Sequence, residues 1–287
     1  MNKIILVIRV KKTFEYIGIF SLFIFSFIFT EKTATVIKEQ DEIMIKIKEV
    51  SHNYYKEPIE AIIVDDTIIP GISGEKVNIS DSYYKMKKMG LFNETLLVID
   101  KIKPKYLLKD NRNKFIIGGS KSKKSVSLIF LVKDNEKIDN VLDILDNNNV
   151  SANIFVGGSF MENNNGFINT ISKKHLIGNL SYNMDYNNPD FIWMSTIIKK
   201  FNDNYCYTEN LDKEILNICS KNKSYTIVPS MIIRNKPFMN ITKGLSNGSI
   251  ISFYINNDTL KELDMVIKEI KSKGYEILKL SELLFEK

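Results

Sequence analysis

Residues 175–186 read HLIGNLSYNMDY. Leu176 to Gly178 form an apolar run too short for a helix, and the polar residues behind it announce a turn, so the stretch reads as a buried strand LIGN that opens into a loop. The pattern repeats on both sides. VSLIFLV at 126–132 is a nearly all-apolar strand, and the KIDNVLDILDNNN behind it sets Ile138, Val141, Leu142 and Leu145 on one helical face. A strand in SANIFVGG follows, then a helix near 166–174, the strand LIGN, a helix over 191–201 and the strand NYCY. A helix over 211–220, the strands YTIV and SIISFYI, a helix over 259–273 and a strand in YEILKL complete the series. Doubly buried strands alternating with helices predict a parallel sheet covered by helices, open or closed into a barrel. Ligands in such folds gather beyond the carboxyl ends of the strands. The residues just after Val132, Asn179, Tyr207, Val228 and Tyr254 are therefore the places to look for chemistry.

Ahead of this series the rhythm differs. VIKEQDEIMIKIKEV, ending at Val50, reads as a stalk helix or part of a strand, its Glu, Gln and Lys content favouring the helix. PIEAIIVDDTIIPGISG combines a β-rich run, a turn signal at Asp65-Asp66 and a Pro-Gly break. SDSYYKMKKMG reads as one short helix with Ser80 as its N-cap and Gly90 at its end. Residues 33–120 thus read as a small α+β region, GGSKSKKS at 118–125 as its connector, and 121–287 as the main domain.

The amino terminus carries Lys3, Arg9, Lys11 and Lys12, followed by fourteen residues without a charge from Tyr16 to Phe29. As a helix that run reaches roughly 21 Å, against a hydrocarbon core of about 30 Å. Residues 1–32 are expected to be a cytoplasmic basic tail and a membrane helix, an uncleaved signal-anchor, because Lys32 stands where cleavage wants a small residue. The rest of the chain would then face outward as the extracellular part of a single-pass protein of the cell membrane, the alternative being secretion after cleavage.

The chain has 287 residues, 44% of them hydrophobic, enough for an ordinary globular core. Its net charge is +6, but the four early bases leave 36 basic against 34 acidic side chains, a balance with no footprint for nucleic acid. The two histidines, His52 and His175, cannot supply a site of several imidazoles. Cys206 and Cys219 lie thirteen apart with no Cys-x-x-Cys pair, which argues against structural zinc and leaves buried thiols or a disulfide.

Five segments, taken in order, resemble the polysaccharide deacetylase family, the NodB-homology domain, over residues 121–285. They are KSVSLIF, NNNVSANIFVGG, KKHLIGNLSYN, NGSIISFY and VIKEIKSKGYEILKLSELL. The resemblance implies a distorted (β/α) barrel of the NodB type. It also implies a metal site in which an Asp-Asp pair gives a base and a ligand, a His-x-x-x-His turn gives two ligands, and a late histidine protonates the leaving amine. Here the pair falls on Leu131 and Val132, the ligand histidines on Leu180 and Met184, and the late histidine on Tyr254. His175 matches an earlier histidine that is not a ligand, and the family's arginine-proline segment falls near Cys206 and Tyr207. Leucine and valine have no lone pair and a thioether is a soft ligand, so the expectation is an apolar plug with no catalytic residues, no metal and no cofactor.

Two other readings compete with this pseudoenzyme. Asp134, Asp185 and Glu209 could form a relocated oxygen-only site for magnesium, calcium or manganese in a working carbohydrate or peptidoglycan N-deacetylase. A purely structural or assembly role is the third. The first reading expects a membrane-tethered binder of an envelope polysaccharide, peptidoglycan or an envelope protein. Its candidate contacts are Asp134, Tyr182, Asn183, Asp185, Trp193, Tyr207, Glu209, Tyr254 and Asn256.

Overall fold

The computed structural model describes residues 2–133, 137–182, 184–202 and 204–286. The chain divides into two compact units, residues 1–56 with 75–101, and residues 57–74 with 102–287. Its strands in chain order are β1 (Ile62–Val64), β2 (Thr67–Ile69), β3 (Gly74–Val77), β4 (Ile99–Ile102), β5 (Phe115–Ile116), β6 (Ser125–Val132) and β7 (Asn153–Val156). They continue with β8 (Leu176–Asn179), β9 (Tyr205–Tyr207), β10 (Tyr225–Ile227), β11 (Met231–Ile233), β12 (Ile250–Tyr254) and β13 (Glu276–Ile277). The longer helices are α1 (Asn2–Glu39), α2 (Glu42–Ser51), α3 (Ile79–Met89), α4 (Ile138–Asn147), α5 (Gly158–Asn163) and α6 (Asn165–Ile171). After them come α7 (Asn188–Ile198), α8 (Lys213–Lys221), α9 (Pro237–Gly244), α10 (Asn257–Ser272) and α11 (Leu280–Leu283).

In the first unit α2 and α3 pack through Met44, Ile47, Tyr83 and Met86, with Val77 of β3 beneath them. Asn78, not Ser80, caps α3, because its side-chain oxygen accepts the Asp81 N–H; Gly90 closes the helix in the left-handed region at φ 71°. The expected membrane anchor is not supported. Among the described residues no helix is long and apolar enough to cross a membrane. The physical reason is length. The charge-free run of α1 between Glu15 and Glu31 is fifteen residues and spans only about three-quarters of a hydrocarbon core. The single-pass topology and the outward orientation rested on that helix, and they fall with it.

The second unit holds a long curled sheet, a half-barrel in a mixed α/β fold, with strand order β1-β2-β5-β10-β9-β8-β7-β6-β12-β11. Pairing along it is parallel apart from the antiparallel β1–β2 hairpin, and β13 runs parallel to the start of β6. All eight residues of β6 are buried, and they alternate between two cores. Val126, Leu128, Phe130 and Val132 meet the covering helices in one cluster with Val141 and Leu145 of α4 and Val266, Ile267 and Ile270 of α10. Ile129 and Leu131 point the other way, into the hollow of the curl, where they join Phe155, Leu176, Leu180, Tyr207, Ile227 and Ile250. The hollow is thus a second core. Phe155 fills it by lying across Gly178 on the neighbouring strand, where an added Cβ would sit 2.4 Å from the ring. Among the elements that escaped the sequence pattern are β11, whose three residues carry no alternation, α9, which opens on Pro237 behind a left-handed Lys236, and the short helices α5 and α11.

Candidate functional site

The carboxyl ends of β6, β7, β8, β9 and β12 converge on one rim of the half-barrel. Four of the five positions where the resemblance would place chemistry lie within the inner cluster or against it. Leu131 is 2% exposed and Leu180 is fully buried, while Met184 and Tyr254 pack against them half-buried. Val132 does not join them. It follows Leu131 on an extended strand, so it faces the helices. Tyr207 is fully buried in the same hollow, edge-on to Phe155 with ring centroids 5.8 Å apart, and its hydroxyl pairs with the Ser252 hydroxyl at 3.0 Å. Burial pushes the Tyr207 phenol up, as it does the phenol of Tyr186.

A divalent ion does not fit these residues. The hollow offers hydrocarbon, one thioether and two neutral phenols where a cation needs carboxylates or imidazoles, and each buried leucine favours the filled state by about 1.5–3 kcal/mol. Two of the relocated trio, Asp185 and Glu209, are among the described residues. Asp134 lies outside the described residues. Asp185 is exposed, and Glu209 is engaged by the Arg234 guanidinium and by the Tyr254 hydroxyl, which donates to it. Among the described residues no group of three His, Cys, Asp or Glu side chains stands close enough to hold a metal ion.

The turn after β8 keeps a constrained shape. Ser181 and Met184 both have positive φ, 53° and 69°, the Met184 N–H donates to the Leu180 carbonyl at 2.8 Å, and Tyr182 bridges to Asp185. Non-glycine residues in this region cost of order 1 kcal/mol each. His175, at the start of the same segment, is buried at 5% exposure, and its Nδ1 accepts the Ala152 N–H at 3.1 Å. Burial lowers its imidazole to about 4, so the ring is neutral at ordinary pH and ties β8 to β7.

Two features on the rim face outward. Tyr182 and Trp193 are 37% and 40% exposed, and both rings press on the backbone of Gly158, where an added Cβ would meet Tyr182 at 2.5 Å and Trp193 at 3.3 Å. They therefore form one aromatic ledge. Trp193 reaches it because Phe191, Met194 and Ile198 turn the opposite face of α7 into the core. The second feature surrounds Tyr254. Lys133 and Arg234 stand 5.7 and 5.2 Å from its ring, and burial with the Glu209 hydrogen bond raises its phenol. Of the remaining sequence candidates, Asn183 lies outside the described residues. Asn256 is spent on the fold, capping α10 through Thr259 N–H and donating to the Arg234 carbonyl. Sequence reasoning missed Gly158, Lys133 and Arg234; the only hint was the Gly-Gly at the end of β7. Cys206 and Cys219 are joined in a disulfide that ties β9 to α8.

The curled parallel sheet with this strand order gives the protein its class, a deacetylase-like fold. No family model matches the chain. The protein YlxY of Bacillus subtilis (strain 168), itself uncharacterized, is 30% identical over 283 residues, covering 88% of this chain and 87% of YlxY. Among solved structures, the wild-type pseudoenzyme BA3943 of the CE4 family from Bacillus anthracis superposes with a TM-score of 0.64 at 23% identity, over 86% of this chain and 96% of that one. A chitin deacetylase from the fungal pathogen Colletotrichum lindemuthianum gives 0.51 at 20% identity, over 61% of this chain and 92% of that one. The chain belongs to the family of YlxY, and its main unit has the fold of a degenerate, NodB-type deacetylase-like domain.

Proposed function

We propose that this chain is a catalytically silent relative of the deacetylases that binds an N-acetylated glycan on the ledge of Tyr182 and Trp193. The observation that carries the reading is that pair of half-exposed rings at the carboxyl edge of the sheet, where ligands of α/β folds collect. Aromatic faces give a sugar ring an apolar surface to stack on, while nearby polar groups orient its hydroxyls and amide. Support for a glycan comes from the fold neighbours, which include a peptidoglycan N-acetylglucosamine deacetylase and a chitin deacetylase. Hydrolysis of an acetamide needs an electrophile for its carbonyl and a base for water, and Leu131, Val132, Leu180 and Met184 supply neither. The fold then serves as a rigid frame for recognition, with no resident cofactor.

Calorimetric titration of the full chain with chitin oligomers and soluble peptidoglycan fragments tests the reading. Tyr182→Ala and Trp193→Ala should each weaken binding about tenfold, the effect of removing one aromatic anchor. Unchanged affinity in both variants would remove the ledge as the site, and an envelope protein or a scaffolding role would then take its place.

A further inference from the structure

The near-balance of acids and bases over the chain hides a segregation that the topology exposes. In a parallel sheet covered by helices, every helix returns its carboxyl end to the amino ends of the strands. At that edge α6 leads into β8 past Lys173, α7 into β9 past Lys199 and Lys200, and α8 into β10 past Lys221 and Lys223, and all five are exposed. Among the described residues none of the five is in an ion pair, whereas the neighbouring Lys174 is held by Asp146. Asp203, in the β9 approach, lies outside the described residues.

Ordinary helix capping explains only part of this charge. A helix carboxyl end carries roughly −0.5 charge, which a single lysine already exceeds, yet the approaches to β9 and β10 hold two lysines each. Residues 121–124, which follow no helix, add three further lysines ahead of β6. The arrangement is a row, not a pocket. β10, β9 and β8 are neighbours in the sheet, spaced about 4.8 Å apart, while β7, whose approach carries Asp143 and Asp146 and no lysine, separates them from β6. Of the tyrosines that begin β9 and β10, Tyr205 belongs to the interior cluster and Tyr225 packs against it, and the rings of Tyr225 and Tyr275 lie under Arg112 and Lys124, so these faces are already covered by cations.

We propose that this edge, opposite the glycan ledge, docks a linear polyanion with closely spaced phosphates and no bases. A row of mobile ammonium groups suits a chain of point charges, and binding would release counterions and weaken steeply with salt.

The test is binding of the full chain to labelled inorganic polyphosphate, read by fluorescence anisotropy across a salt series. Wild type should show a log–log salt slope of about −3, from four to five contacts at roughly −0.7 each. Lys199→Glu, Lys200→Glu, Lys221→Glu and Lys223→Glu combined should lower affinity at least tenfold and flatten the slope. The corresponding glutamine set, gentler on folding, should do the same to a lesser degree. Reversal of Lys137 and Lys236 on the opposite rim should change neither. The proposal is overturned if wild type shows no salt dependence or if both multiple variants bind as wild type. It is likewise overturned if the control reversal weakens binding equally, or if anionic lipid vesicles or single-stranded nucleic acid bind more tightly than polyphosphate at equal phosphate.

Discussion

Replacing Leu180 with alanine probes the filled hollow directly. Leu180 is fully buried and packs in the inner cluster with Leu131, Phe155 and Tyr207, at the position where the family resemblance places a ligand histidine. If the hollow is a close-packed core, removing three carbons leaves a void that a β-sheet wall cannot collapse into, and the cost should be about 3 kcal/mol, within the usual 2–5 for buried leucine. For a unit of this size that corresponds to roughly 6–12 °C in melting temperature. Trp193, the single tryptophan, lies in the second unit and reports its urea transition without interference from the first. Leu180→His should cost at least as much, because an unpartnered imidazole is buried among hydrocarbon, and added zinc should not restore it, since neither Leu131 nor Met184 can share the ion. A loss below 1 kcal/mol for Leu180→Ala, or a zinc-dependent gain in melting temperature for Leu180→His, would refute the filled core.

The other predictions are briefer. His175 has a folded value near 4 against an ordinary 6.5, so the unfolded chain binds the extra proton in between; stability is full above about pH 6.5, falls by about 1–3 kcal/mol as pH drops toward 4, and loses that slope in His175→Gln, as urea melts across pH will show. Gly158→Ala should push the Tyr182 ring from the ledge and lower glycan affinity several-fold while the urea midpoint moves less than it does in Leu180→Ala, and unchanged affinity would count against the ledge geometry. Removing the Cys206–Cys219 link with Cys219→Ser, which opens a loop of thirteen residues, should cost about 2–4 kcal/mol by denaturant titration.

Much of the main domain was legible because its strands are buried on both faces and its helices carry a clean 3.6-residue stripe, as in Ile138, Val141 and Leu145. The plug was legible residue by residue, since Leu131 and Leu180 have no donor atoms wherever they sit. Period-two alternation already forbade Leu131 and Val132 from lining one hollow, a constraint the motif comparison passed over. The ledge was not legible. Gly158 and Tyr182 are far apart in sequence and meet only because β7 and β8 pair in parallel register. Trp193, in a helix, reads as core until the opposite face of α7 is seen to be occupied. The amino-terminal run of α1 misled through composition: its apolar content was plain, but its short length was the deciding quantity and argued against a span. Totals of charge likewise concealed the lysine edge, because segregation is a property of topology.

The most direct trial of the account is to incubate the pure full-length chain with N-acetylglucosamine oligomers and peptidoglycan, with zinc, cobalt or manganese supplied, and to measure released acetate. No acetate above the protein-free control is expected under any metal. Turnover that a chelator abolishes, or that Leu131 and Leu180 variants leave intact, would contradict it.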